Sequence, residues 1–236
     1  MYDQLTVTGA FQSDAIDRPL SLTELAAGRI RKDIIEGVFA LGQPVSETML
    51  AERYAISKSP VKLALVQLKS EGLVTIKPQK GSFVFTVTVE DVRALAEWRI
   101  TMEQAALTAA CERGPCALFE RLDAVYENML LARKNKDRAE SFYLDALFHW
   151  TIVECSDNRY FMHSYQANIH IINALLFRLG SIPWEAPDLF EEHATLIEHL
   201  QTGDLAAAKT LLAEHIRHLC DNGRIACLQT LGAVKH

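Results

Sequence analysis

The residues of this chain best suited to site chemistry are imidazoles, and they are unevenly placed. All eight histidines fall after residue 148: His149, His163, His170, His193, His199, His215, His218 and His236. In Asp145-x-x-x-His149 a carboxylate and an imidazole stand four apart, which on a helix puts both on one face, one turn apart. His193 follows Glu192 in a later helical pattern, and His215 follows Ala213-Glu214 in the last one. Three helices of a bundle can aim such residues at one interior point. Imidazole with carboxylate suits Zn, Ni, Fe or Mn better than Ca or Mg. Three His and one Asp would leave room for water or a ligand in the coordination shell. The same spacing is compatible with a plain Asp–His hydrogen bond and unrelated surface histidines, because motif matches of this kind are hypotheses until context supports them. His163 and His170 share a face but have no acidic partner nearby in sequence, and His199 and His218 are neighbours of the candidate ligands or solvent groups. His236 is the chain end.

The elements that must carry these residues are helical. Apolar periodicity predicts helices over about 89–113, 115–135, 137–156, 158–179, 187–202 and 204–232, broken at Gly114-Pro115, Asp157-Asn158, Gly180 to Pro187 and Gly203. Asp204 is a good N-cap, and capping is the expected role of Asn158. Six helices with short connections make a bundle. Cys220 and Cys227, seven apart, suit packing on one face.

The N-terminal third reads differently. The first 18 residues lack periodicity and read as a flexible arm over 1–19 ending at Pro19. Ser21-x-x-Glu24 is a capping box, followed by apolar Leu25, Ile30, Ile34, Ile35 and Val38, with Gly42 and Pro44 as the stop. Ser46 caps a short second helix through Tyr54 with Met49 and Leu50 inward. Ser57 caps a third, with Pro60 in its first turn and Val61, Leu65, Val66 and Leu68 on its apolar side. Residues 73–76 and 83–85 form β-type runs around a turn at Pro78 to Gly81, a hairpin. Three helices and a hairpin in that order make a winged helix-turn-helix over 20–87, ahead of a helical domain over 88–232. The fold class is therefore mainly α.

Charge follows the same division. From Leu20 to Thr86 nine Lys/Arg face six Asp/Glu, a net of +3, whereas from Val87 onward 14 face 21, a net of −7. The overall −6 thus hides a basic head, the mark of a part that meets a polyanion. In a helix-turn-helix the second helix of the motif enters the major groove. Here it leads with Ser57, Lys58, Ser59 and Lys62, hydroxyls and cations suited to phosphates and base edges, while the wing offers Lys77, Gln79 and Lys80 around Gly81. No apolar run approaches a membrane span, the best being 169–177, and the first residues do not read as a signal peptide. Five cysteines with no CxxC argue against a disulfide framework or a Cys-based zinc site, and fit a reducing cytoplasm.

The head carries a specific resemblance. Val45-Ser46-Glu47-x-x-Leu50-Ala51-Glu52, Ile56-Ser57-Lys58-Ser59-Pro60-Val61-Lys62-x-Ala64-Leu65 and Leu68-x-x-Glu71-Gly72-Leu73-Val74 closely resemble the DNA-binding domain of the GntR family, and Pro78-x-x-Gly81-x-Phe83-Val84 resembles its wing. The resemblance spans about residues 22–86. That family usually has Arg where Lys58 and Lys62 stand and Glu where Leu63 stands, so the resemblance implies DNA binding and not the family's usual operator preference.

Asp145-x-x-Phe148-His149, Asn158, Glu192-His193, Gly203-Asp204, Ala207-Ala208 and His215 together look like the FCD effector domain of the FadR-like GntR subfamily, over about residues 89–220. The resemblance implies an all-helical bundle that binds a divalent metal through Asp145, His149, His193 and His215. Arg99 in Glu97-Trp98-Arg99-x-x-x-Glu103 matches a frequent Arg/Glu pattern of that domain's first helix. It is either an intrahelical ion pair worth a few tenths of a kcal/mol or a fork holding an effector carboxylate beside the metal. Arg178 is a further effector candidate.

The sequence thus describes a one-component transcriptional regulator, a repressor by resemblance. It would bind a pseudo-palindromic duplex as a homodimer and answer to a small organic acid. Two other readings stay open: a metal-responsive regulator with the ion as effector, and a metalloenzyme built on the Asp/His set.

Overall fold

The computed structural model describes residues 19–179, 188–218 and 234–235. The expected arm short of Pro19, the Gly180 to Pro187 breakers, Cys220, Cys227, His236 and the last helix beyond 218 lie outside the described residues. The chain divides into two compact units, Met1–Phe85 and Thr86–His236.

In the first unit α1 spans Leu22–Ile35. Its capping box is reciprocal: the Glu24 amide donates to Ser21 Oγ, and the Ser21 amide donates to the Glu24 carboxylate. The helix stops earlier than Gly42. Glu36 is its C-cap, and Gly37 turns out of it at φ 73°, a left-handed conformation that glycine adopts without strain. Leu25 and Val38, expected on the inner side, are exposed, while Ala26, Ala27, Ile30, Ile34 and Ile35 fill the core. Helix α2 (Glu47–Tyr54) is capped by Ser46 and ends on left-handed Ala55; Leu50 is buried and Met49 only partly so.

Helix α3 (Lys58–Ser70) buries Val61, Ala64, Leu65 and Leu68 and packs on α1, α2 and β1. Two details depart from expectation. Ser57 occupies the N-cap but makes no side-chain cap bond. Val66 is exposed, because it lies a further ~100° around the helix from Leu65 and outside the arc its neighbours fill. Strands β1 (Val74–Lys77) and β2 (Gly81–Val84) pair antiparallel from Val74↔Val84 to Lys77↔Gly81, closing the expected wing.

Two polar ties hold the helices of this unit. Arg31 meets Glu71 through both Nε (2.8 Å) and Nη2 (2.7 Å), joining α1 to the end of α3. Buried Asp33 accepts from Tyr54 Oη at 3.0 Å and Arg53 Nε at 3.3 Å, joining α1 to α2. That carboxylate helps push the Tyr54 hydroxyl's pKa up, after burial as the larger cause.

The second unit is helical: α4 (Val89–Arg113), α5 (Pro115–Lys134), α6 (Arg138–Cys155), α7 (Arg159–Leu179), α8 (Asp188–Gln201) and α9 (Leu205–Arg217). A two-residue strand β3 (Val87–Thr88) pairs in parallel with β4 (Val234–Lys235), a short ladder that the helical periodicity does not signal. Thr88 and Asp91 form a second capping box at α4, Asp137 caps α6 and Asp204 caps α9. Asn158 accepts from the Tyr160 amide at 3.0 Å, a capping contact at the start of α7. Helix α4 packs on α5, α6, α7 and α9; α5 packs on α6 and α8; α6 packs on α7, and α8 on α9. Leu107, Leu118, Leu122, Phe148, Ile152 and Ile172 are among the residues filling the interior.

Candidate functional site

Helices α6, α8 and α9 each deliver candidate ligands to one place. Asp145 and His149 share a face of α6, His193 comes from α8 and His215 from α9. One ligand atom from each lies within 4.8 Å of the others. His193 Nε2 stands 3.3 Å and His215 Nε2 3.9 Å from Asp145 Oδ1. The His149 and His215 rings stack at 5.1 Å between centroids, and the His193 and His215 rings meet edge-on at 4.6 Å. His149 and His193 are buried, and His149 Nε2 and both nitrogens of His193 have no hydrogen-bond partner among the described residues. His193 Nε2 is thus near Asp145 without being aligned to donate to it. Buried polar atoms without partners are rare and ask for a ligand or water.

A second layer of carboxylates sets the direction of two rings. Glu103 Oε2 lies 2.6 Å from His149 Nδ1, and Glu192 Oε2 lies 2.7 Å from His215 Nδ1. A carboxylate only accepts, so each Nδ1 must carry the hydrogen, and each Nε2 lone pair then faces the centre. Burial, with Arg99 next, lowers the His149 pKa; burial, with His193 and His149 next, puts His215 well below the usual histidine range. Both rings are neutral at pH 7, the form that ligates metal. Burial alone would raise Asp145, but His193 beside it, with the facing imidazoles in their protonated form, outweighs burial and holds its carboxyl well below the usual range.

Glu103 is fully buried and accepts from three sides: His149, Arg99 Nε at 2.6 Å, and Tyr165 Oη at 2.8 Å. Burial opposes its ionisation, yet Arg99 and His149 bring its pKa down to about 2. Arg99 is therefore not a solvent-exposed i,i+4 pair. It spends Nε on Glu103 and keeps Nη2 buried with no hydrogen-bond partner among the described residues. With imidazoles counted neutral, Arg99 contributes one positive charge against three from Glu103, Asp145 and Glu192, a formal surplus of two negative charges. Arg178 is buried too, and its Nη1 donates to the Ala174 carbonyl at 2.6 Å, within its own helix. Desolvation lowers its pKa to about 10.

Sequence reasoning does not identify Glu192, Tyr165 or the second bond of Glu103 as parts of the centre. The signal for Glu103 is its i,i+4 spacing from Arg99; Tyr165 carries none. Of the other histidines, His218 Nδ1 lies 3.5 Å from Glu192 Oε1, at the edge of the same layer, and His163 is exposed.

In the first unit the candidate DNA contacts form two exposed groups. Ser57, Lys58, Ser59 and Lys62 lie at the start of α3. Lys77, Gln79, Lys80 and Gly81 lie at the wing tip, where Gln79 has φ 60° and Gly81 φ 96°. Lys77 Nζ sits 5.2 Å from the Phe83 ring centroid, which holds the ammonium over the hairpin.

Comparison with known proteins places both units. The FCD domain family model matches residues 94–218, and that of bacterial regulatory proteins of the gntR family matches residues 22–84. The chain is similar to the HTH-type transcriptional regulator YdhC of Bacillus subtilis (strain 168), 24% identical over 208 residues covering 88% of this chain and 93% of that one. It is similar to the HTH-type transcriptional repressor RspR of Escherichia coli (strain K12), 25% identical over 198 residues covering 83% and 86%. Among solved structures, a transcriptional regulator GntR from Rhodococcus sp. RHA1 shares the fold at TM-score 0.73 and 21% identity, over 92% of this chain and 100% of that one. No helix among the described residues is long and apolar enough to cross a membrane. The chain belongs to the GntR family, joins its DNA-binding domain to an FCD domain, and is a transcriptional regulator rather than the metalloenzyme that the Asp and His spacing alone left open.

Proposed function

We propose that this regulator is a repressor whose operator affinity is set by a small organic acid bound beside a divalent transition metal in the helical unit. The observation that carries the reading is the convergence of three imidazoles on Asp145, with two Nδ1 atoms held by Glu103 and Glu192 so that their Nε2 lone pairs point inward. Asp145, His149, His193 and His215 would hold the ion. The donor set suits zinc, with nickel, iron or manganese also compatible. Such an ion, when bound, supplies a Lewis-acid anchor for a carboxylate oxygen. The buried Nη2 of Arg99 supplies a charged donor in the same interior, where an incoming carboxylate would satisfy it. Arg178 is a second cation for the same class of ligand.

The basic head, taken as residues 20–87, reads DNA. Ser57, Lys58, Ser59 and Lys62 enter the major groove, and Lys77, Gln79, Lys80 and Gly81 follow the backbone. A homodimer in the cytoplasm places two heads on half-sites related by two-fold symmetry. The helical domain, taken as residues 88–232, matters to operator control only if the organic acid prefers one arrangement of the heads.

The test uses the full chain and a duplex it selects from random sequence. Zinc, nickel and manganese are titrated with and without a panel of organic acids, reading thermal stability and duplex affinity together. The expected result is metal-dependent stabilisation by an acid that also weakens duplex binding, and loss of bound metal per chain in His193→Ala. Full metal occupancy in His193→Ala sinks the ligand assignment. A duplex affinity that follows metal alone, with no acid active, replaces the organic-acid reading with a metal-responsive regulator. That second reading is favoured by the ligands' origin on three helices, which an ion alone would clamp.

A further inference from the structure

We propose that Leu63 and Val66 form an apolar reading edge that packs against thymine 5-methyl groups in the major groove. The proposal rests on α3 being the helix that enters the groove. On that helix Val61, Ala64, Leu65 and Leu68 face the core. The outermost positions opposite them are Ser59, Leu63, Val66 and Ser70, spaced by four, three and four residues and therefore one continuous strip. Leu63 is 56% exposed and Val66 54%. Single exposed apolar residues are ordinary. Two adjoining ones at the centre of a DNA-reading face need a partner that the described residues of the unit do not provide.

The surroundings choose duplex DNA as that partner. Lys58, Lys62 and Lys69 run along one side of the strip, and α3 contains no Asp or Glu, so the face as a whole is cationic. Phosphates held by those lysines would press the strip toward base edges. Base edges in the major groove present donors, acceptors and one apolar group, the thymine methyl. A carboxylate at position 63, as the resembling family usually has, could accept from a cytosine amine. Leu63 cannot, and its only complementary base-edge group is a methyl. The substitution therefore shifts the preference of each half-site toward thymine beneath Leu63 and Val66, while Ser59 and Lys62 keep the polar contacts.

The experiment uses the full-length protein and the duplex it selects from a random library. Each thymine of a half-site is replaced in turn by deoxyuridine, which pairs identically and lacks only the methyl. The expected result is one or two positions where wild-type affinity falls about fourfold per methyl, the worth of one buried carbon group. Those positions lose their sensitivity in Leu63→Ala/Val66→Ala, whose exposed sites leave folding intact. Uniform indifference to deoxyuridine, or sensitivity that survives in the double variant, overturns the proposal. Lys58→Ala/Lys62→Ala separates it from the reading beneath it: if that variant keeps wild-type affinity and salt dependence, α3 is not in the groove and both fail. If it weakens binding while deoxyuridine has no effect, only the methyl contact fails. A change in sedimentation mass of DNA-free Leu63→Glu would assign the strip to a second copy of the chain, which also overturns it.

Discussion

Replacing Glu103 by glutamine should invert the tautomer of His149, a candidate metal ligand, without changing the shape of the site. The carboxylate accepts three hydrogen bonds, from Arg99 Nε, Tyr165 Oη and His149 Nδ1. A glutamine amide has one acceptor and one donor end. Arg99 can only donate, and both Arg99 and Tyr165 address the same carboxylate oxygen, Oε1. The amide oxygen must therefore take that position, which turns the NH2 group toward His149. To avoid donor against donor, His149 must leave Nδ1 bare and carry its hydrogen on Nε2, the atom that faces Asp145, His193 and His215. One candidate ligand of the four is then blocked. Outer-layer partners of metal-bound histidines are worth about 10–100-fold in metal affinity, or ~1.4–2.8 kcal/mol, and the blocked lone pair places this variant at the upper end.

The same substitution removes the charge that neutralises a fully buried guanidinium. Breaking a buried ion pair from one side costs ~3–5 kcal/mol. The retained hydrogen bond and the attraction of Arg99 to Asp145 keep the loss near the lower bound. Because destabilisation alone would not single out His149, the decisive assays are competitive zinc titration against a chelator and long-range 15N correlation spectra of the imidazole. Tyr165→Phe is the control. It removes one hydrogen bond to Glu103 Oε1, costs ~1 kcal/mol, and leaves the carboxylate facing His149. Wild-type zinc affinity in Glu103→Gln, with the Nδ1–H tautomer retained, would refute the reasoning. So would equal loss of zinc in Tyr165→Phe.

Two further outcomes test the head. Lys62→Ala should weaken duplex binding and flatten the dependence of log affinity on log salt by ~0.9 for each phosphate it no longer neutralises; an unchanged slope removes Lys62 from the phosphate-binding set. Asp33→Ala leaves the Tyr54 hydroxyl and Arg53 without the buried carboxylate that ties α1 to α2. It should cost ~2 kcal/mol in thermal or urea unfolding of the first unit, the worth of hydrogen bonds to a charged group, and a loss below ~1 kcal/mol would show that solvent replaces the carboxylate there.

Local chemistry makes most of the fold legible. Ser21 with Glu24, Ser46, Asp204 and the Gly114-Pro115 break announce helix ends through bonds that span three or four residues, and a single sequence records such spans directly. The departures are local as well. Gly37, not Gly42, ends α1, because a glycine at C′ needs only the preceding turn to be complete. Hydrophobicity puts Val66 in the core of α3, although that arc is already filled by Val61, Ala64, Leu65 and Leu68. Apolar type argues for burial; angular position decides it.

The centre divides along the same line. Asp145 and His149 share a face by spacing, and a resemblance suggests His193 and His215 as their companions. The groups that orient them are separated by 46 positions for Glu103 and His149 and 23 for Glu192 and His215, and no periodicity reports such pairs. Their placement has a mechanical consequence. Glu103 on α4 locks the ring carried by α6, and Glu192 on α8 locks the ring carried by α9. Neighbours on a helix point ~100° apart, so Glu192 reaches His215 while adjacent His193 faces the centre. The four candidate ligands thus sit where two internally tied helix pairs meet, α4 with α6 and α8 with α9. A shift of one pair against the other would change the affinity of anything bound among them. A carboxylate engaging both the centre and Arg99 would weigh on the α4–α6 side, and an ion alone would weigh on both. Under the proposed control of operator binding, that difference would let an organic acid act through a site that a metal also occupies.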